Sequence, residues 1–255
     1  MATQKYNKLA GKHVLIIGGT SGIGYGVAEA SIESGASVTI SSSNPSRVES
    51  SIASLKTSYP SAVVSGHVCD LSKSTVEADI EALFEKTGKV DHVVFTAGDS
   101  LAQMKIEDIT LEKFIQAGQV RFFAPLLVAK VAKKYLSPGP ASSITLTTGA
   151  VADKPIANWC AVAPFASGLH GMTRNLALDL KPIRVNLVSP GAIETELWKN
   201  FAEDQKKAMF KEIADKQPTG KVGKPEDVAE AYLWLMKDSN VTGFVASSNG
   251  GSLLV

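Results

Sequence analysis

The sequence predicts an α/β fold: a doubly wound parallel sheet with helices on both faces, in three layers (α/β/α), built as a single domain over residues 1–255. Three observations predict it. Short, nearly unbroken apolar runs of strand length alternate with helix-length amphipathic segments, a glycine cluster follows the first run, and no repeat, low-complexity stretch or linker divides the chain. Unbroken apolar runs belong to strands covered on both faces, which is the environment of a parallel sheet.

Residues 14–17 form the first run and open into the glycine-rich turn; residues 27–34 then show helical spacing. Residues 37–40 are the second strand, followed by a polar turn and a helix through Leu55. Segments 62–68 and 90–95 are the third and fourth strands, with a helix around 75–86 between them. A long helix is expected from about 111 to 135, ended by Pro138-Gly139-Pro140, because proline removes a donor and cannot continue a helix. Segments 144–147, 184–188 and 244–246 complete the strands, with helices between. The stretch from Glu194 to Thr219 reads as a loop closing over a pocket, within a substrate-loop region of about 191–220.

Bulk properties exclude several classes. Lys+Arg 26 against Asp+Glu 25 gives a net charge of +1, so no basic footprint for nucleic acid exists. Lys206-Lys207 reads as a solvated helix face. Cys69 and Cys160 form no disulfide framework and read as small core residues in a reducing compartment. The polar segment 1–13 is neither a signal peptide nor a span, and no run of roughly 18 apolar residues follows, so a cytoplasmic protein without a membrane partner is expected. His13, His67 and His92 sit in or beside strands without a Ser–Asp partner or ligand spacing, so neither a metal site nor a hydrolase triad is expected.

The turn Gly18-Gly19-Thr20-Ser21-Gly22-Ile23-Gly24 links the first strand to its helix. Such a turn lets backbone N–H groups approach a pyrophosphate, and the helix N-terminus favours its charge. A glycine cluster can also be merely a tight turn; its place at the head of a βαβ unit points to a nucleotide. The second strand ends in Ser41-Ser42-Ser43-Asn44, with Arg47 one turn on and no acid. A carboxylate there would bind ribose hydroxyls and repel a 2′-phosphate, whereas hydroxyls and a guanidinium suit phosphate oxygens. Those serines and Asn44 also suit a helix cap, and the two roles are compatible. The expected cofactor is NADP(H) over NAD(H).

The spacing G-x-x-x-G-x-G resembles the fingerprint of the short-chain dehydrogenase/reductase (SDR) family, whose fold is of Rossmann type. Further pieces match that family in order over essentially the whole chain: Cys69-Asp70-Leu71, Thr96-Ala97-Gly98, Arg184-Val185-Asn186 leading to Ser189-Pro190-Gly191 and Thr195, the stretch 223–229, and Asn249-Gly250-Gly251. The resemblance implies cofactor contacts at Gly18, Thr20, Ser21, Gly22, Ile23 and Gly24, and at Ser42, Ser43, Asn44 and Arg47. It extends them to Asp70 and Leu71 near the adenine, to Ala97 and Gly98, and to Pro190, Gly191, Ile193 and Thr195 at the nicotinamide end.

The family works with an Asn, a Ser, a Tyr and a Lys. Registered on Gly171-Met172-Thr173-Arg174, with the stretch 176–180 in support, the Tyr position falls on Val162 and the Lys position on Ala166. Phe165 has no hydroxyl, and no lysine lies between Lys154 and Lys181. Val120-Arg121 takes the place of the Asn, and the Ser position falls on Thr147 or Thr148. Three of the four groups are gone. A positioned general acid contributes roughly 10²–10⁴ in rate. Reducing a ketone without one leaves an alkoxide; reducing an iminium leaves a neutral amine and needs no proton in that step. Hydride transfer to a cationic C=N therefore survives the loss, carried by position and electrostatics. An activated alkene fits less well, because it still needs protonation.

Four residues are candidates for a replacement site. Arg121, among Val120, Phe122 and Phe123, either points its charge at a substrate carbonyl or forms a structural ion pair. Thr148 offers a hydroxyl, Trp159 either stacks an aromatic ligand or anchors its loop, and Asp153 either offsets a substrate cation or lies on the surface. His170 reads as a helix-face residue. This pattern resembles a fungal branch of natural-product reductases, including reductase/Diels–Alderases of indole alkaloid pathways. The resemblance implies an NADPH-dependent reductase acting on an imine, iminium or carbonyl of a cyclic or aromatic secondary metabolite. A cofactor-bound cyclase or isomerase without net redox, and an inactive NADP(H)-binding scaffold, are the alternatives; intact Pro190-Gly191 and Thr195 favour the first two. The 111–135 helix, the helix carrying Val162 and Ala166, and Leu253-Leu254-Val255 resemble surfaces used for dimers and tetramers, so a homotetramer is expected unless the tail packs on its own subunit.

Overall fold

A computed structural model of the chain describes residues 5–199 and 201–255. Residues 1–4 of the polar leading segment, and Asn200 within the 191–220 region, lie outside the described residues.

Seven strands make one parallel sheet: β1 (His13–Ile17), β2 (Ser37–Ser42), β3 (Val64–Val68), β4 (His92–Phe95), β5 (Ser143–Thr147), β6 (Arg184–Pro190) and β7 (Val245–Ser248). Their order across the sheet is β3-β2-β1-β4-β5-β6-β7. The winding direction reverses between β1 and β4, and a crevice beyond the strand carboxyl ends opens at such a switch point. The helices are α1 (Gly22–Glu33), α2 (Pro45–Ser58), α3 (Val76–Thr87), α4 (Leu111–Gly118), α5 (Ala124–Ala132), α6 (Ala163–Asp179), α7 (Glu203–Lys216) and α8 (Pro225–Lys237).

Alternation along each strand divides the core into two layers. Val14 and Ile16 pack with Val27 of α1, Leu55 of α2, and Val228 and Tyr232 of α8. Leu15 and Ile17 face the other way, onto Ile80 and Phe84 of α3, Val128 of α5 and Leu169 of α6. All seven residues of β6 are buried, as two-sided cover requires. Among the described residues, no helix is long and apolar enough to cross a membrane.

Two expected elements differ. The 111–135 helix is interrupted by a π-helical turn at Gln119–Phe123 and ends at Ala132. A π turn absorbs one extra residue. Here three phenylalanines pack against Phe165 of α6, which stacks on Phe114 at 4.7 Å and meets Phe122 and Phe123 at 5.3 and 5.8 Å. Glycines make that fit possible, since a methyl on Gly118 would lie 2.7 Å from Phe165 and one on Gly168 2.7 Å from Phe122. The 194–219 stretch is not a plain loop either; it holds a 3-10 turn at Glu196–Trp198 and then α7. No residue of α7 is fully buried, so it lacks the apolar stripe that marks a helix in sequence. Phe210 holds it edge-on to Trp198 at 6.0 Å.

Two histidines also differ from expectation, because each finds a hydroxyl. His92 Nδ1 lies 2.9 Å from Ser143 Oγ and His13 Nε2 2.8 Å from Thr39 Oγ1. Both sit at the amino ends of strands, away from the crevice. Burial pushes the His92 imidazole down to about 3, so it remains neutral and structural.

Arg184 starts β6 and is almost wholly buried. It donates to four carbonyls: Nε to Pro140 (2.6 Å), Nη1 to Leu235 (2.6 Å) and Val241 (3.2 Å), and Nη2 to Met236 (2.8 Å). Those bonds bind the end of α8 to the sheet. Arg184→Leu should therefore lower unfolding free energy by about 3–5 kcal/mol, because the carbonyls lose their donors inside the protein. Urea unfolding followed by circular dichroism measures it; a loss below about 1 kcal/mol would show that water replaces the clamp.

Candidate active site

The crevice is walled by backbone. A methyl on Gly18, whose φ is +92°, would lie 2.4 Å from the Ala97 nitrogen; one on Gly24 would lie 2.2 Å from the Gly18 carbonyl oxygen and 2.4 Å from Thr96 Oγ1. No side chain fits at either point. The Thr96 hydroxyl lies within hydrogen-bonding reach of the Ile17 and Gly18 carbonyls at 3.3 and 3.2 Å, tying the β4 end to the glycine turn. Thr20 is anchored where its carbonyl accepts from Ser51 Oγ at 3.1 Å, and Ile23 packs into the core. Ser21 precedes α1 without a side-chain cap bond, leaving the first N–H groups of the helix to an anion.

At the end of β2, Asn44 Oδ1 caps α2 by accepting from the Arg47 N–H at 3.0 Å, and Ser42 Oγ accepts from the Asn44 N–H at 3.4 Å. Ser43 and Arg47 are exposed, and the Arg47 guanidinium has no partner among the described residues. Capping is thus satisfied while one cation remains uncommitted.

Beyond β3, Asp70 Oδ1 accepts from the hydroxyl and the N–H of Ser72 at 2.7 and 3.1 Å. Those bonds, with Lys73 adding to them, hold the carboxyl below the usual carboxylate range. The Leu71 side chain is core, and its carbonyl accepts from Gln119 Nε2 at 3.2 Å. Burial, with Asp79 and Asp70 nearby, pushes the Cys69 thiol up to about 11, so it is no nucleophile near neutral pH. Cys160 is not a core residue as expected; it is exposed, while neighbouring Trp159 takes the inward position.

On the far side Pro190 closes β6, the Gly191 N–H donates to the Ser248 carbonyl at 3.0 Å, and buried Ile193 bridges Gly223. Thr195 starts the following 3-10 turn by accepting from the Leu197 N–H at 3.4 Å, and its methyl lies 3.0 Å from where a Gly22 methyl would stand. A cavity of about 540 Å³ opens beside this contact, with Tyr25, Glu29, Lys206 and Glu226 in its walls. Arg121, Thr148, Trp159, Val162 and Ala166 are not among its lining residues. Burial, and then Glu226 and Glu33, raise the Glu29 carboxyl.

The catalytic side is apolar. Val162 and Ala166 are buried with Val151, packed by Leu101, Ala102, Ala152, Trp159 and Ala163. The Thr148 hydroxyl donates to the Ala166 carbonyl at 2.8 Å. Thr147 points elsewhere: its hydroxyl lies 2.6 Å from the Phe95 carbonyl and 2.6 Å from the hydroxyl of Tyr232, whose phenol is wholly buried and raised by that burial. Lys154 Nζ reaches the Ser252 carbonyl at 2.9 Å and the Val255 carbonyl. Asp153 is exposed, with no hydrogen bond or ion pair to Arg121, Thr148 or Trp159. His170 lies on α6, its Nε2 buried without a partner. The Met104 N–H donates to the Asn158 carbonyl at 3.0 Å, joining the segment after β4 to the Trp159 loop.

Arg121 occupies the centre of the π turn. Its Nε donates to Asp99 Oδ1 at 3.1 Å and its Nη2 donates to the Asp99 carbonyl. Burial lowers its pKa and Asp99 opposes that effect; a guanidinium stays charged throughout.

The pattern of the SDR-like Rossmann domain matches residues 5–255. The chain belongs to the short-chain dehydrogenase/reductase family. It is 48% identical to the short-chain dehydrogenase/reductase fsr5 of Gibberella fujikuroi, over 97% of both chains. The solved structure of MalC reductase/Diels–Alderase from Malbranchea aurantiaca is similar with a TM-score of 0.94 at 40% identity, over 99% of this chain and 100% of that one. A small-chain dehydrogenase in complex with NADPH is similar at a TM-score of 0.78 and 30% identity, over 96% and 100% of the two chains.

In this SDR oxidoreductase the two residues onto which the resemblance registers the family's Tyr and Lys, Val162 and Ala166, are buried side chains without a hydroxyl or an amine. Tyr232, whose hydroxyl meets Thr147, is sealed in a main core layer apart from their cluster. The structure brings Trp159, Val162 and Ala166 into one cluster, ties Thr148 to it, and leaves Asp153 apart. Sequence reasoning missed Asp99; the acid directly after Thr96-Ala97-Gly98 was its only signal. Gly24→Ala should destabilise the protein by about 1–3 kcal/mol, because the added methyl meets backbone that cannot retreat. It should also abolish NADPH binding; thermal unfolding and nicotinamide fluorescence check both, and unchanged binding would place the nucleotide elsewhere.

Proposed function

We propose that the protein is an NADPH-dependent reductase acting on an imine or iminium carbon of a cyclic or aromatic secondary metabolite, without a side-chain acid. The observation that carries this reading is the buried Val162–Ala166 floor beside an intact nucleotide crevice. NADPH, when bound, supplies a hydride.

Thr20, Ser21, Gly22, Ile23 and Gly24 present backbone N–H groups to the pyrophosphate, Gly18, whose own N–H is donated to the Ser41 carbonyl, lets the backbone approach it closely, and Ser42, Ser43, Asn44 and Arg47 receive the 2′-phosphate. Asp70 and Leu71 border the adenine, Ala97 and Gly98 the ribose, and Pro190, Gly191, Ile193 and Thr195 the nicotinamide end. Trp159 stacks an aromatic ring, Arg121 orients a carbonyl, Thr148 borders the reacting atoms, and residues 191–220 close over them. Loss of the general acid costs a ketone substrate roughly 10²–10⁴ in rate and an iminium nothing in the hydride step, which favours the C=N acceptor.

A second reading is favoured by the likeness to MalC, described as a reductase/Diels–Alderase: the apolar cluster around Trp159 guides a cyclisation as well. A homotetramer accords with two apolar surfaces, Leu111, Ile115 and Leu126 on α4 and α5, and Trp234 with Phe244 near β7. Leu254 is 82% exposed, although Lys154 holds the Ser252 and Val255 carbonyls of the same chain, so its side chain is left for a neighbouring copy. Two free thiols suit a reducing, cytoplasmic setting.

Purified protein incubated with NADPH and a panel of cyclic imines should oxidise NADPH in equal measure to reduced product, read by absorbance and product mass. Product without NADPH oxidation would favour the cyclase; tight NADPH binding without turnover would favour a scaffold. Arg121→Ala should cut turnover about 10²-fold while leaving NADPH affinity within about twofold. Val162→Tyr with Ala166→Lys should gain less than about twofold on the same substrate at a pH where it is already protonated to the iminium, since hydride addition then gives a neutral amine directly. Arg47→Ala should weaken NADPH binding roughly tenfold and spare NADH, as loss of one charge-assisted phosphate contact requires.

A further inference from the structure

We infer that Asp99 is a positioning residue, which aims the Arg121 guanidinium so that one edge of it is held by protein and the other faces substrate. The inference rests on the reading that Arg121 meets the substrate.

A guanidinium has five N–H donors. Asp99 takes two, Nε–H with its carboxylate and one Nη2–H with its own carbonyl. Both lie along the Nε/Nη2 edge. Of the remaining three, one on Nη1 and one on Nη2 form the end-on edge, the other on Nη1 points back along the Cδ side, and none has a partner among the described residues. Gly98 sets the plane: a methyl there would stand 2.8 Å from Cζ, 2.8 Å from Nη1 and 2.8 Å from Nη2, so the group lies face-on above the Gly98 α-carbon. The π turn sets the approach, since Arg121 sits mid-way along Gln119–Phe123. An edge, a face and a root are thus fixed by three different parts of the chain.

Charge gives Asp99 a second task. A bare guanidinium repels a cationic C=N. Paired with Asp99 it is nearly neutral at a distance, yet its free edge still donates to a carbonyl. The side chains of the pair are 29% and 41% exposed, so the bond itself contributes little to stability. Geometry is what it supplies.

The test uses the full-length protein with NADPH and a dihydroisoquinoline carboxamide, a cyclic imine bearing an aromatic ring and an amide carbonyl. Asp99→Ala should lower kcat about 10-fold or more, with NADPH affinity and unfolding midpoint nearly unchanged. Asp99→Asn, which keeps an acceptor for Nε, should recover most of that loss. The Arg121→Ala, Asp99→Ala double variant should be no slower than Arg121→Ala alone, because Asp99 acts through Arg121. An independent readout needs no turnover. The chain has four arginines, so Arg121 Nε–H can be assigned in a nitrogen-15 spectrum by its loss in Arg121→Lys. That proton should exchange slowly in the parent protein and fast in Asp99→Ala. Slow exchange persisting in Asp99→Ala, or additive losses in the double variant, would overturn the inference. Arg121→Ala without effect on turnover would instead sink the reading of Arg121 itself.

Discussion

The carboxyl ends of β1 and β4 approach so closely that the wall between them can only be backbone. Gly18 lies against Ala97, and Gly24 against Gly18 and Thr96, at separations that admit no β-carbon. Everything at the crevice depends on that contact. It exposes main-chain donors and the uncapped start of α1 to an anion, and it brings the Thr96-Ala97-Gly98 segment to the mouth. It also continues one residue further, where bare Gly98 gives the Arg121 guanidinium a surface to lie on.

The rest of the pocket follows from what has been taken away. Under the proposed reading Val162 and Ala166 stand in place of a phenol and an ammonium, their cluster with Val151 holds no titrating group, and the Thr148 hydroxyl is already donated to a helix carbonyl. Removing polar groups makes such a space drier, and a dry space strengthens any remaining field. The remaining field is that of Arg121, tempered by Asp99. In the proposed function such a site orients and desolvates its substrate without exchanging protons. That division of labour suits an acceptor already carrying positive charge.

The strands and the nucleotide end were legible because their signals are local: unbroken apolar runs, a glycine cluster, and a serine-rich end to β2. The expectation that Val162 and Ala166 replace the family's Tyr and Lys rests on a signal of the same local kind, a register on α6. What escaped depends on packing across the fold. The π turn leaves no mark in periodicity, since Val120, Phe122 and Phe123 look apolar either way; only the ring of Phe165 against Gly118 demands it. Helix α7 shows too little apolar surface to announce itself. Cys160 looked interior until Trp159 claimed the inward place, and Asp99 gains meaning only when a residue 22 positions away folds back onto it.

The Val162–Ala166 cluster is separate from both main core layers. The two sheet-facing layers and the Arg184 clamp are built from other residues, so side chains there carry little of the main core's packing, although Val162 and Ala166 begin α6. Lineages can therefore rewrite this patch by drift, shedding one reaction and acquiring another while thermal robustness is preserved. A scaffold arranged in that way can change its chemistry without rebuilding its frame.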